Sequence, residues 1–183
     1  MHDRRELRSK LPAFAQMTSP TLELDVDPIW GDQIDWEALA ARAAAATAAA
    51  APELAHSNLL VSVVFGNDEE VHALNRQWRA KDKPTNVLSF PMMSREDVLR
   101  AAGDQGNEGM LGDLILAHGV CTREAANKGI LIEDHCAHLI VHGLLHLVGY
   151  EHENDAASAT AMEALETKAL AQLGIADPYC DAA

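Results

Sequence analysis

Apolar and polar positions change period several times along the chain, and each change predicts an element. Thr21–Asp27 (TLELDVD) alternates apolar and acidic residues, the period of a half-buried strand. From Asp35 to about Ala51 a tract of alanines favours helix strongly and ends near Pro52. Asn58–Phe65 (NLLVSVVF) is β-branched and apolar, as a buried strand requires. Asn67, with Glu70 three residues on, has the form of an N-cap and its capping-box partner, opening a helix to about Trp78. Asn86–Phe90 predicts a short strand closed by Pro91. Ser94–Gly109 holds three glycines and mixed charge, which predicts a mobile surface loop with at most one helical turn. Leu111–Ala117 predicts a fourth strand, and Thr122 is expected to cap a short helix ending at Gly129. Glu133–Val148 predicts an apolar helix, and Asp155–Leu173 another, stopped by Gly174. With no internal repeat and no linker, this predicts one α+β domain over residues 18–183. About four strands form a mixed sheet packed with about five helices. Residues 1–17 lack periodicity and are expected to be a disordered N-terminal extension.

Composition adds little to that picture, and charge adds more. A chain of 183 residues with 48% hydrophobic residues is long and apolar enough for a core, which excludes wholesale disorder. Cys121, Cys136 and Cys180 are odd in number with no C-x-x-C pair, which argues against a disulfide framework or a cysteine-based zinc site. No apolar run approaches a membrane span, and the basic first ten residues lead into no continuous apolar stretch, so a cytoplasmic chain without a membrane partner is expected. The net charge is −14, unevenly spread. Residues 21–74 hold ten acids against Arg42 alone, and residues 151–183 hold seven against Lys168. Between them, residues 75–83 carry Arg76, Arg79, Lys81 and Lys83 against Asp82. A chain this acidic has no general basic surface, so a polyanion must be met at one local cationic site, and DNA is not expected.

Histidine is where the pattern becomes specific. Five of the nine histidines lie between residues 135 and 152. His142 and His146, four apart in VHGLLHLVGYEH, project from one helix face. Gly149 stands where a helix ends in a left-handed residue, and the turn brings His152 back toward the other two. Three neutral imidazoles with a fourth position open to water are the ligand set of a catalytic zinc site. His138 extends the series backwards and is an alternative third ligand, but three ligands on one straight helix span roughly 12 Å of rise. His135 and His138 are therefore expected in supporting or packing roles. Metzincin proteases share the H-x-x-x-H-x-x-G-x-x-H spacing, with glutamate following the first histidine as general base. That position is Gly143 here, and Glu151 and Glu153 stand after the turn instead, so peptidase chemistry is disfavoured.

Three blocks and their spacing carry a resemblance: LNRQWRAKDKPTNVLSFP over Leu74–Pro91, LGDLIL over Leu111–Leu116, and HGLLHLVGYEH over His142–His152, with MEALE over Met162–Glu166 downstream. Over about residues 20–180 the chain resembles the YbeY family of bacterial metal-dependent endoribonucleases. The resemblance implies single-strand-specific cleavage in ribosomal RNA maturation (small-subunit 3′ end processing) and in ribosome quality control. It implies RNA and the ribosome or small-subunit proteins as partners. It implies His142, His146 and His152 as ligands of one metal ion, with Arg79 and His142 catalytic. Zinc is the expected ion, although other divalent transition ions also accept imidazole. Glu151 departs from the family's usual aspartate but keeps its charge. Residues 1–17 precede where such proteins usually begin.

The residues supply chemistry for these implications. A fixed guanidinium with paired donors suits the charge that builds on phosphoryl oxygens, and Arg79 sits in the strongly basic segment. The alternative for Arg79 is a surface residue at the helix end. Trp78 beside it is expected to fill core, with stacking on a base as the alternative. Asp113 is expected as a structural or supporting carboxylate. Two other classes stay open: a non-catalytic ribosome-assembly factor with a structural metal, and a metalloprotease-like hydrolase.

Overall fold

The structure, a computed structural model, describes residues 18–103, 108–152 and 155–180. The extension expected over residues 1–17 and the acid Glu153 lie outside them. Strands β1 (Thr21–Val26), β2 (Leu59–Gly66), β3 (Val87–Pro91) and β4 (Gly109–Ala117) form one mixed sheet in the order β1-β2-β4-β3. β1, β2 and β4 run parallel, and β3 closes the edge antiparallel to β4. Six helices are described: α1 (Trp36–Ala50), α2 (Asp68–Arg79), α3 (Arg95–Gly103), α4 (His118–Lys128), α5 (Ile132–Leu147) and α6 (Ala156–Gln172). The α+β class, the four strands and the single domain follow the sequence pattern closely.

Alternation along the strands sends side chains to two apolar clusters. The larger takes Val61, Val63, Phe65, Leu114 and Leu116 against α1, α5 and α6. Because α1 is built largely of alanine, with Ala40, Ala43, Ala44 and Ala46 fully buried, α5 and α6 can approach it closely. A helix apolar on most of its circumference belongs inside. The smaller cluster, Val71, Leu88, Ala117 and Val120, seats α2 and α4 on the sheet. Local signals account for several boundaries: Asp35 and Asp155 cap α1 and α6, and Asn67 with Glu70 forms the full capping box of α2.

Two expectations about the elements fail. Ser94–Gly109 is not a loop with one turn at most, because α3 occupies Arg95–Gly103 and buries Val98 completely. Its start was written locally: the Ser94 hydroxyl accepts from the Asp97 amide at 3.1 Å and donates to the Asp97 carboxylate at 2.7 Å. The glycines and charges masked that S-x-x-D signal. Thr122 caps nothing; it lies inside α4, donating back to the His118 carbonyl at 2.8 Å. The cap comes from another element, as the Asp68 carboxylate accepts from the Gly119 and Val120 amides at 2.8 and 3.2 Å.

Candidate active site and histidine cluster

His142 and His146 project from the last two turns of α5, whose C-terminus ends through Gly149 at φ 92°. The turn beyond is clamped from the helix the sequence hid. Arg95 on α3 donates to the Val148 carbonyl at 2.8 Å, pairs with Glu53 at 3.2 Å, and lies 4.6 Å over the Tyr150 ring. The Tyr150 hydroxyl donates to Glu53 at 2.7 Å. So held, the turn returns His152 to the helix face, and one ligand atom from each of His142, His146 and His152 lies within 4.8 Å of the others. His138 stays outside that group.

The imidazoles are oriented from behind. Glu166 on α6 is only 1% exposed and accepts from His142 Nδ1 at 2.6 Å and His138 Nε2 at 2.8 Å, and from the Tyr179 hydroxyl. Burial pushes the Glu166 carboxyl up, but the hydrogen bonds from His138 and His142 outweigh it and hold it at about 2. A carboxylate on Nδ1 fixes the proton there and leaves the His142 Nε2 lone pair facing the cluster. That lone pair lies 3.1 Å from His146 Nε2. Two imidazole nitrogens on one tetrahedral ion stand about 3.3 Å apart at bond lengths of about 2.0–2.1 Å. Burial, together with the neighbouring His142 and His152, lowers His146 to about 4, which keeps it neutral at physiological pH. A divalent transition ion takes imidazole through such a deprotonated ring nitrogen. Glu166 and Tyr179 are site residues that sequence reasoning missed, although Glu166 closes the MEALE block. His135, 1% exposed, is bonded to Glu124 at 2.7 Å, and burial lowers its pKa. It lines the cleft from behind that bond, outside the group of three histidines.

The cluster opens into a cleft of about 550 Å³. Arg79, Trp78 and Lys81, from the end of α2 and the turn after it, line it, as do Phe90 and Pro91 of the edge strand β3 and Lys128. Among the described residues Arg79 makes no ion pair or side-chain hydrogen bond. It does not cap its helix, because the main chain does so through Ala80 in the left-handed region at φ 53°, with the Ala80 and Lys81 amides donating to the Asn75 carbonyl. Trp78 overturns the expectation of core. It is 66% exposed. Its spacing from Val71, Leu74 and Asn75 places it on the inward stripe of α2, but it stands in the last turn, where residues 76–80 are all exposed. Asp113 is half-buried on β4 opposite Phe90 and outside the cleft. Gly143 faces the sheet, not the cleft: a Cβ there would meet Leu114 Cδ2 at 2.6 Å. Among the described residues no helix is long and apolar enough to cross a membrane.

Comparison with known proteins gives the family and the fold. The family model for Endoribonuclease YbeY matches residues 29–174. A relative from Novosphingobium aromaticivorans named Endoribonuclease YbeY is 71% identical over 163 residues, covering 89% of this chain and 98% of its own. Another of that name, from Erythrobacter litoralis, is 56% identical over 160 residues, covering 87% and 98%. A solution structure of a Thermotoga maritima protein shares the fold at a TM-score of 0.51 and 20% identity, covering 88% of this chain and 99% of that one. With a family match spanning most of its length and relatives this similar across nearly their whole chains, the protein belongs to the endoribonuclease YbeY family.

Proposed function

We propose that this protein is an endoribonuclease that cleaves single-stranded RNA with a divalent ion, zinc foremost, held by His142, His146 and His152. One observation carries the reading: three mutually facing histidine nitrogens within 4.8 Å share a cleft with Arg79, a guanidinium that no described acid neutralises. An ion at that cluster would supply Lewis acidity toward a phosphoryl oxygen and a water acidified toward neutral pH. The chain's own residues do the rest. Glu166 orients His142, and Arg79 supplies paired donors to the charge developing on the scissile phosphate. Lys81 and Lys128 draw the backbone into the cleft against the repulsion of an acidic molecule.

Family membership supports ribosomal RNA as the substrate, matured at the small-subunit 3′ end and monitored in ribosome quality control. It likewise supports the ribosome as partner and the cytoplasm as location. Peptidase chemistry is disfavoured because the position after His142 is a glycine packed against Leu114, so the protease's base is missing there. The carboxylate in the cleft, Glu151, comes from beyond the turn, 3.7 Å from His146 Nδ1. The test offers metal-loaded and chelated protein a labelled single-stranded RNA and casein, with metal content measured on the same samples. Metal-dependent cleavage of RNA alone is expected. Cleavage of casein would install the hydrolase reading, and metal binding with no cleavage of either substrate would install a structural metal in a ribosome-assembly factor.

A further inference from the structure

We infer that Trp78 is the platform on which a nucleobase next to the scissile phosphate stacks, a role that rests on the endoribonuclease reading above. The three tryptophans are treated differently by the fold. Trp30 and Trp36 are 5% and 4% exposed, meet edge to face at 5.0 Å, and both donate their indole N–H to carbonyls. Trp78, at 66% exposure, has no ring partner and no acceptor for its indole N–H among the described residues. Leaving an indole exposed at the end of that helix stripe forgoes the burial its spacing would otherwise provide. The stripe ends in the same cleft as the histidine cluster, with the unpaired Arg79 as the next residue and Lys81 beyond it. A flat apolar face beside cations that hold phosphates is how proteins bind single strands, since every base has a π-face to offer. A base paired in a duplex cannot lie on such a face, so the platform selects unpaired nucleotides without reading sequence.

The test uses the full-length metal-loaded protein with wild-type, Trp78→Ala and Trp78→Phe forms. The probe is a labelled single-stranded oligoribonucleotide of a dozen nucleotides and its variants with one abasic nucleotide at each position. Loss of one stacked base is expected to raise KM and the RNA Kd about 5- to 100-fold in Trp78→Ala, with kcat changed far less and Trp78→Phe recovering much of the loss. One abasic position, adjoining the cleavage site, should erase the difference between wild type and Trp78→Ala. RNA should quench the intrinsic fluorescence of the wild type, and Trp78→Phe should abolish that quench, because Trp30 and Trp36 are buried. Equal KM and Kd in Trp78→Ala, a penalty that persists at every abasic position, or a quench retained in Trp78→Phe would each overturn the inference. The first of these would leave Trp78 as a protein-docking residue. If wild type cleaves no RNA, the endoribonuclease reading fails by itself. The fluorescence titration still decides the platform, with absence of quenching counting against it.

Discussion

Glu166 bonds to His142 and His138 while Arg79 lines the cleft those histidines share, and their substitutions are expected to separate two functions. Arg79→Ala is expected to lower single-turnover cleavage of a labelled RNA by about 10²–10³, the usual loss for one transition-state donor. Metal content and melting temperature should not change, because Arg79 is exposed and unpaired among the described residues. Arg79→Lys should recover little, since a point charge does not reproduce the paired donors of a guanidinium. A wild-type rate in Arg79→Ala would reduce the residue to a helix-end cation. Glu166→Gln should act through the metal instead. The amide keeps the volume but loses the charge that anchors the His142 Nδ1 proton at 2.6 Å, and ion affinity is expected to fall about 10–100-fold in a chelator competition. Tyr179→Phe removes one donor to the same carboxylate and should weaken affinity less. Unchanged affinity in Glu166→Gln would mean that His142 is oriented by its helix alone.

At the scale of elements, the site depends on how two helices end. α2 ends through Ala80 at φ 53°, where an L side chain costs about 1–2 kcal/mol. Glycine returns about 0.5–1 kcal/mol of that through its unfolded-state entropy, so Ala80→Gly is expected to stabilise by about 0.5–1 kcal/mol. Denaturant unfolding measures it, and a loss of stability would show that the alanine methyl group packs. The end of α5 relies on contacts from outside itself: Arg95 on α3 holds the Val148 carbonyl, and Glu53 joins Arg95 to Tyr150. The helix read as a loop thus braces the turn that Gly149 opens ahead of His152. Gly143 matters to the same helix, since its missing side chain lets α5 lie against Leu114 of β4.

For the whole molecule, a net charge of −14 is expected to confine RNA binding to a local cationic cleft. With Arg79, Lys81 and Lys128 as the phosphate contacts, log K should fall with log salt at a slope of about −2, from about 0.7 per contact on a single strand. A much steeper slope would reveal a second cationic surface. The first described residues are tied to the body, as the Thr18 hydroxyl donates to the Ala55 carbonyl at 2.6 Å and β1 starts at Thr21. We propose that residues 1–17 are dispensable: a chain starting at Met17 is expected to melt within a few degrees of the full chain and to keep its activity. A large loss of stability would place a packing role in the extension.

Sequence alone determined whatever depends on neighbours within a turn or two. The alternation of β1, the alanine helix α1, the capping box of Asn67 and Glu70, and the i, i+4 pair His142 and His146 follow from the repeat of the backbone. The glycine turn that returns His152 belongs with them, because Gly149 adopts the positive φ its position implies. Tertiary structure decided what depends on where elements stop relative to one another. Trp78 keeps helical period with Val71 and Asn75 yet stays exposed, because period says which residues share a side of a helix and not how far along it the neighbours pack. Asp68 replaces Thr122 as the cap of α4 from 51 residues away. Glu166 reaches His142 across 24 residues only because α6 packs on α5. Spacing along one helix is set by covalent geometry, whereas these partners meet through burial of apolar faces, which a one-dimensional pattern constrains only loosely.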